Sequence, residues 1–423
     1  MSNNIVINDI NTIPNEYIPI IYGFNDDNKK DIGKQLIKPF IAQSISYPLM
    51  SLGFQQFLHA IIEDMGSIVK DFEKKKKVYA IIHQFNSTID NYEQDLSTFS
   101  KTYLKTEING NGFYKLWEIF SLFDINKLSK TLQILDNNGD CTQAVELFNK
   151  VLLGKGSGDY NIISSKESSE LEKYVKSNKN AHLTQFDESK IFDDKILKKL
   201  SSYKNSMDVV IGYGSIDWKY DILIEQKNMN IFIFEIVSMI SSLKKGGTFI
   251  CRIFETYTNT MSKLLYALTQ LFDESYFIKP LFSHLSTSEK FIVCKNYIPN
   301  TKLEEQLKSL FTMITQNSKH NVVDIFPELI LPVVFKNKMI SMNVDQSNKQ
   351  ILSISKIISF IKSQNYYGDV YNDSKQMQIN STTYWIDVFY PKKKELSKKV
   401  LSSIFEKSLK ISNDYSKIIS KNV

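Results

Sequence analysis

Apolar positions divide the chain into three textures. Early on, Phe54, Phe57, Leu58, Ile61, Ile62, Met65, Ile68, Val69 and Phe72 recur at intervals of three and four. That period predicts one long amphipathic helix whose stripe faces a core. From about residue 106, short β-rich bursts at 132–135, 209–211, 248–253 and 291–294 alternate with helix-period stretches such as Met261, Leu264, Leu265, Leu268 and Phe272. Strands alternating with helices predict an α/β unit, a largely parallel sheet covered on both faces. Lys244-Lys245-Gly246-Gly247 reads as the turn that ends one helix and launches the strand at Thr248. After residue 300, Ile351, Ile354, Ile357, Ile358 and Ile361 predict a helix, and residues 383–390 a strand closed by Pro391. Val400, Leu401, Ile404 and Phe405 predict a last amphipathic helix. The expected organisation is a helical N-terminal region (1–105), an α/β domain (106–300) and an α+β C-terminal extension with a basic tail (301–423). No internal repeat is visible.

Composition narrows the class without naming a function. Hydrophobic residues at 42% and aromatics at 12% supply a real core, and 23% charged residues place the chain among globular proteins. A formal net charge of +6 permits a polyanionic partner without demanding one. The abundance of Asn, Ile and Lys is explained as readily by an A+T-rich genome, so the lysine run 74–77 reads first as a solvated helix end. Contact with RNA is its alternative. Cys141, Cys251 and Cys294 are odd in number and widely spaced, which gives neither a disulfide framework nor a zinc pattern. A reducing compartment, cytoplasm or virion, is the expectation. The N-terminus lacks the basic and apolar regions of a signal peptide. The longest apolar stretch, 231–243, is short and carries Glu235, so a soluble protein without membrane contact is expected.

Three tempting motifs fail on chemistry. A calcium loop starting at Asp136 needs Gly at its sixth position and a bidentate Glu at its twelfth, where Cys141 and Leu147 stand. Gly154-Lys155-Gly156-Ser157-Gly158-Asp159 lacks the order of a phosphate loop, and reads as a flexible turn into a strand. The histidines at 59, 83, 182, 284 and 320 form no H-x-x-x-H pair, so no metal site is expected.

Several fragments in order nevertheless carry chemistry. They are NGFYKLWEI (111–119), LQILDNNGDCTQAV (132–145), DVVIGYGS (208–215), LKKGGTFICRIF (243–254), Lys279-Pro280 and STSEKFIVCK (286–295). Together they resemble the FtsJ-type RNA ribose 2′-O-methyltransferases over about residues 106–300. The helical N-terminus and C-terminal extension make the layout most similar to viral mRNA cap 2′-O-methyltransferases. The resemblance implies a seven-stranded Rossmann-like, S-adenosylmethionine-dependent methyltransferase sheet with an antiparallel last strand. It implies that Lys115 supplies the family's first lysine, Glu289 its glutamate, and Asp136, Gly139, Asp140, Gly158 and Asp187 the cofactor contacts. Implied partners are RNA, capped mRNA included, and an active capping or transcription subunit.

The family chemistry has a physical basis, and this sequence departs from it. A ribose 2′-hydroxyl is a poor acid, so its attack on a sulfonium methyl needs proton removal as the bond forms. A lysine serves once neighbours lower its pKa. Here the family's central lysine is Arg252, which stays charged and cannot take up a proton. Its aspartate is Tyr213, and its proline and paired glycines are replaced by Asn137, Asn138, Gly139 and Asp140. Asp217 and Lys219 offer an out-of-place rescue. The favoured expectation is an impaired or inactive member acting through RNA or partner binding. The alternatives are an active 2′-O-methyltransferase, and a structural relic whose Lys392–394, Lys398 and Lys399 dock on nucleic acid or a coat.

Overall fold

The β-rich bursts become strands of one sheet in the computed structural model. It describes residues 13–25, 37–42, 52–72, 104–154, 158–165, 168–186, 194–215, 224–316, 321–363, 368–390 and 394–422. The lysine run 74–77, Asp187, Asp217, Lys219 and Lys392–393 lie outside them. In chain order the strands are β1 (Ile20–Gly23), β2 (Phe40–Ala42), β3 (Lys130–Ile134), β4 (Asp159–Ser164), β5 (Ala181–Gln185), β6 (Met207–Gly212), β7 (Leu243–Ile253), β8 (Phe272–Lys279), β9 (Lys290–Tyr297) and β10 (Asn321–Asp324). The helices are α1 (Leu52–Phe72), α2 (Asn111–Leu122), α3 (Asp140–Val151), α4 (Ser169–Ser177), α5 (Asp194–Ser202), α6 (Ile224–Lys227), α7 (Met229–Ser242), α8 (Asn259–Thr269), α9 (Thr301–Gln316), α10 (Val333–Ser363), α11 (Asp369–Phe389) and α12 (Lys394–Asn422).

The main sheet runs β1-β8-β9-β7-β6-β3-β4-β5. Strands β7, β6, β3, β4 and β5 are mutually parallel, while β9 is antiparallel to β7 and β8. This is the Rossmann-like arrangement expected, with one strand more than the seven anticipated. Strand β1 adds itself antiparallel to β8, pairing Ile21 with Ile278. All six residues of β6 are buried, as a central strand covered on both faces requires. One face packs Leu132, Ile134 and Val210 against α7, α8 and α9. The other packs Val209, Ile211, Ile250 and Val293 against α2 and α3, with α11 and α12 beyond.

The outer regions wrap this sheet rather than standing apart as separate lobes. Strand β2 pairs with β10 across the length of the chain. The Ser408 hydroxyl of α12 accepts from the Ile21 amide and donates to the Pro19 oxygen. Helix α1 forms as its period predicted, but only part of its stripe meets core. Leu58 is buried with Tyr257 and Ile354, whereas Phe54 and Phe57 are exposed.

Two local expectations are corrected. Residues 383–390 are not a strand but the last turns of α11. Buried Gln378, Ser381, Thr382, Trp385, Val388 and Phe389 follow a helical period that the β-branched and aromatic composition had masked. Beyond residue 300 the described extension is therefore helical apart from β10. The Lys244–Gly247 turn lies inside β7 rather than ahead of it. Gly246 adopts φ +75, and the pairing with β6 jumps from Met207–Leu243 to Val209–Thr248.

Candidate functional site

In an open parallel sheet, ligands bind where neighbouring strands connect in opposite directions, outside their carboxyl ends. Here that point lies between β3, whose chain continues to β4 and β5, and β6, which leads to β7. The turn after β3 holds Leu135 to Asp140, and the turn after β6 holds Tyr213 and Gly214. Arg252 comes from β7, Glu289 from the approach to β9, and Lys115 from α2. The sequence placed Lys115, Tyr213, Arg252 and Glu289 in one site, and the fold brings all four together.

Glu289 is the hub. Its two carboxylate oxygens accept from Lys115 Nζ at 3.0 and 2.7 Å, and Ser283 Oγ donates to it at 2.9 Å. Arg252 Nη1 stands 3.7 Å from the same carboxylate. Burial pushes the Glu289 carboxyl upward, but Lys115 and then Arg252 outweigh it and hold the group at about 2. It is an anion at any working pH.

The remaining Arg252 nitrogens are committed to main chain. Nε donates to the Gly214 oxygen at 2.9 Å and Nη2 to the Tyr213 oxygen at 2.7 Å. The guanidinium lies over the Tyr213 ring, 3.7 Å from its centroid. Burial pulls its pKa down, yet the charged Glu289 carboxylate beside it keeps it above the ordinary value. Burial and then Asp140 push the Tyr213 phenol well up, so it stays neutral. This group of residues holds charge in place. It contains no base in the arginine position.

The cofactor side of the crevice is occupied by the chain's own atoms. Asp136 Oδ2 accepts from the Thr142 amide at 2.9 Å and its hydroxyl at 2.6 Å. Burial, then Asp140, push Asp136 up to about 7. Asp140 Oδ2 accepts from the Gly112 amide at 2.9 Å. A Cβ added to Gly112 would overlap both that carboxylate and the Tyr213 hydroxyl, so the space is filled. Leu135 sits at φ +62, a backbone conformation that suits glycine. Asn137 Oδ1 accepts from Ser164 Oγ at 2.9 Å and the Ser165 amide at 3.0 Å, joining the turn to the end of β4. As they stand, these residues do not fit S-adenosylmethionine.

Asp136, Gly139 and Asp140 all stand in the turn after β3, Gly139 with φ +76 at the start of α3. Gly158 does not join them. It opens β4 at the opposite end of the sheet, where its amide meets the Tyr160 hydroxyl at 3.2 Å. Asp187 lies outside the described residues. Sequence reading missed three groups. Lys279 is pulled down to about 7 by burial, and its Nζ donates to the Thr287 and Glu289 main-chain oxygens at 2.7 and 2.8 Å. The Lys-Pro dipeptide marked it without giving it a role. Ser283 carried no signal. Glu235, placed among apolar residues of α7, accepts from the Gly214 amide at 2.7 Å and fixes the turn after β6.

Residues 108–297 match the model of the FtsJ-like methyltransferase family. A cap-specific mRNA (nucleoside-2′-O-)-methyltransferase 1 of Dictyostelium discoideum is 25% identical over 147 residues, covering 34% of this chain and 19% of that protein. An inactive cap-specific mRNA (nucleoside-2′-O-)-methyltransferase 1B of Caenorhabditis briggsae is 24% identical over 166 residues, covering 37% and 19%. The match thus spans about a fifth of these relatives' length. A Plasmodium falciparum crystal structure described as a ribosomal RNA methyltransferase is 20% identical with a TM-score of 0.36, covering 45% of this chain and all of that one. Among the described residues no helix is long and apolar enough to cross a membrane.

Proposed function

We propose that this chain, whose residues 108–297 are an FtsJ-like methyltransferase domain, is a catalytically silent member of that family. Its work is then to bind RNA, capped mRNA included, beside an active capping or transcription subunit. One observation carries the reading. Where the reaction needs an amine able to lose its proton stands Arg252, charged and bonded to the Gly214 and Tyr213 oxygens. Lys115, Arg252 and Lys279 gather around Glu289, with Asp136 and Asp140 across the crevice, and the RNA half of the reading rests on the cap-specific mRNA methyltransferases that the chain resembles. The relative from Caenorhabditis briggsae is itself named as inactive.

The test uses the full chain with capped RNA and labelled S-adenosylmethionine. No methyl incorporation is expected, while filter binding detects RNA at low salt and loses it as salt rises. Incorporation that disappears in Lys115→Ala sinks the silent reading, and no RNA affinity at low salt sinks the binding half. One observation favours an active enzyme instead. Lys279, at about 7, is an amine that sheds its proton near neutrality beside Glu289. Its Nζ must first leave two main-chain oxygens. Activity abolished by Lys279→Met would establish that alternative.

A further inference from the structure

We infer that the crevice is self-liganded: the Asp140 carboxylate stands where a cofactor's carboxylate would need to bind, and the Tyr213 hydroxyl fills the space beside it. The inference rests on the silent reading above and deepens it.

Helix α2 starts after Gly110 and has no side-chain cap of its own. The free amides at a helix start attract an anion. That place is taken from within, since Asp140 Oδ2 accepts from the Gly112 amide at 2.9 Å. Its other oxygen, Oδ1, accepts from the Cys141 amide at 3.1 Å in the first turn of α3. One carboxylate therefore serves the starts of two helices, and an incoming anion would have to displace it from both.

The neighbouring residues are shaped around this arrangement. A Cβ on Gly110 would come within 2.9 Å of Asp140 Oδ2, and one on Gly112 would overlap both Asp140 and the Tyr213 hydroxyl. On the other side, Leu135 Cδ1 lies 3.2 Å from where a Cβ on Gly214 would stand. Leu135 keeps its uncommon φ of +62 while buried in the core. Asp140 and Tyr213 are thus one packed pair against Gly112, while Leu135 closes the turn toward Gly214.

Thermal melts and calorimetry on the full chain with S-adenosylhomocysteine test this. Wild type is expected to show no ligand-dependent rise in Tm. Asp140→Gly is expected to start lower and then gain one, with affinity at least about tenfold above wild type. Asp140→Asn keeps an acceptor for the Gly112 amide and still fills the space, so it should gain none. If Asp140→Gly does not fold, Asp140→Ser, shorter and uncharged, takes its place with the same expected gain. Micromolar binding by wild type overturns the inference, as does a folded Gly or Ser variant that gains no binding. Wild-type binding without methyl transfer removes this inference alone. Methyl transfer to RNA removes the silent reading.

Discussion

The guanidinium of Arg252 lies 3.7 Å from the centroid of the Tyr213 ring, and its Nη2 donates at 2.7 Å to the main-chain oxygen of the same residue. A cation over the ring that also grips two adjacent carbonyls through separate nitrogens calls for a guanidinium. A lysine in this place could still donate to a carbonyl, but its compact ammonium could not hold both carbonyls and lie on the ring at once. The replacements at 213 and 252 therefore support each other, and reverting either alone should cost stability.

Arg252→Lys is accordingly expected to lower stability by about 2 kcal/mol, from the lost cation–π contact and one lost charged hydrogen bond. It should bring no methyl transfer, because the crevice stays filled. Urea unfolding measures the loss. A midpoint equal to wild type would show that the stacked pair contributes nothing.

Leu135 sets two opposed effects against each other. Glycine at 135 would relieve a strained φ, worth roughly 1 kcal/mol. It would also remove a buried side chain, costing about 2–5 kcal/mol. The second effect is larger, so Leu135→Gly should destabilise the fold by a few kcal/mol. A stabilised variant would mean that the leucine is poorly packed.

Much of this was legible in the sequence, for identifiable reasons. Strands β3, β6, β7 and β9 announced themselves because central strands covered on both faces are apolar throughout, and Lys115, Arg252 and Glu289 were found through the motifs around them. What stayed hidden depended on contacts distant in sequence. Nothing local says that Ile20–Gly23 adds to β8. Nothing marks Asp140 as the partner of an amide 28 residues earlier. The turn residues of α11 misled because Thr382, Thr383, Trp385 and Val388 favour strands by composition, while their burial follows a helix. Gly158 misled because it stands ahead of β4, away from the turn after β3, packed against Tyr160.

Stability should pass through a minimum near neutral pH. Burial lifts Glu118 to about 8 and Glu225 and Glu235 to about 7. Between 4.5 and those values the folded chain holds protons that the unfolded chain has lost, so stability falls as pH rises. Burial lowers Lys279 to about 7 and Lys290 to about 8. Above those values, up to their ordinary 10.5, the unfolded chain holds the extra proton and stability climbs with pH. Melting temperatures at pH 5.5, 7.5 and 9.5 should be lowest in the middle, and Glu118→Gln should flatten the acid limb. A monotonic trend would contradict the assignment.

Removing the hub of the site should hurt more than removing any spoke. Glu289→Gln leaves Lys115 and Arg252 buried without their counter-charge, a change that costs about 3–5 kcal/mol. Lys115→Met removes a charge but leaves Glu289 beside Arg252 and the Ser283 hydroxyl, so the carboxylate keeps partners and the loss should be smaller. The two variants also separate by pH. In wild type the Glu289 carboxyl is held at about 2, below its ordinary 4.5, so its contribution is complete above 4.5 and is lost as pH falls toward 2. Glu289→Gln lacks that acid-side loss, and the gap between it and wild type should narrow as pH drops from 5 to 3. Denaturant midpoints across that range decide the matter: a constant gap, or a Lys115→Met loss equal to that of Glu289→Gln, would mean the carboxylate is not the charge on which the site depends.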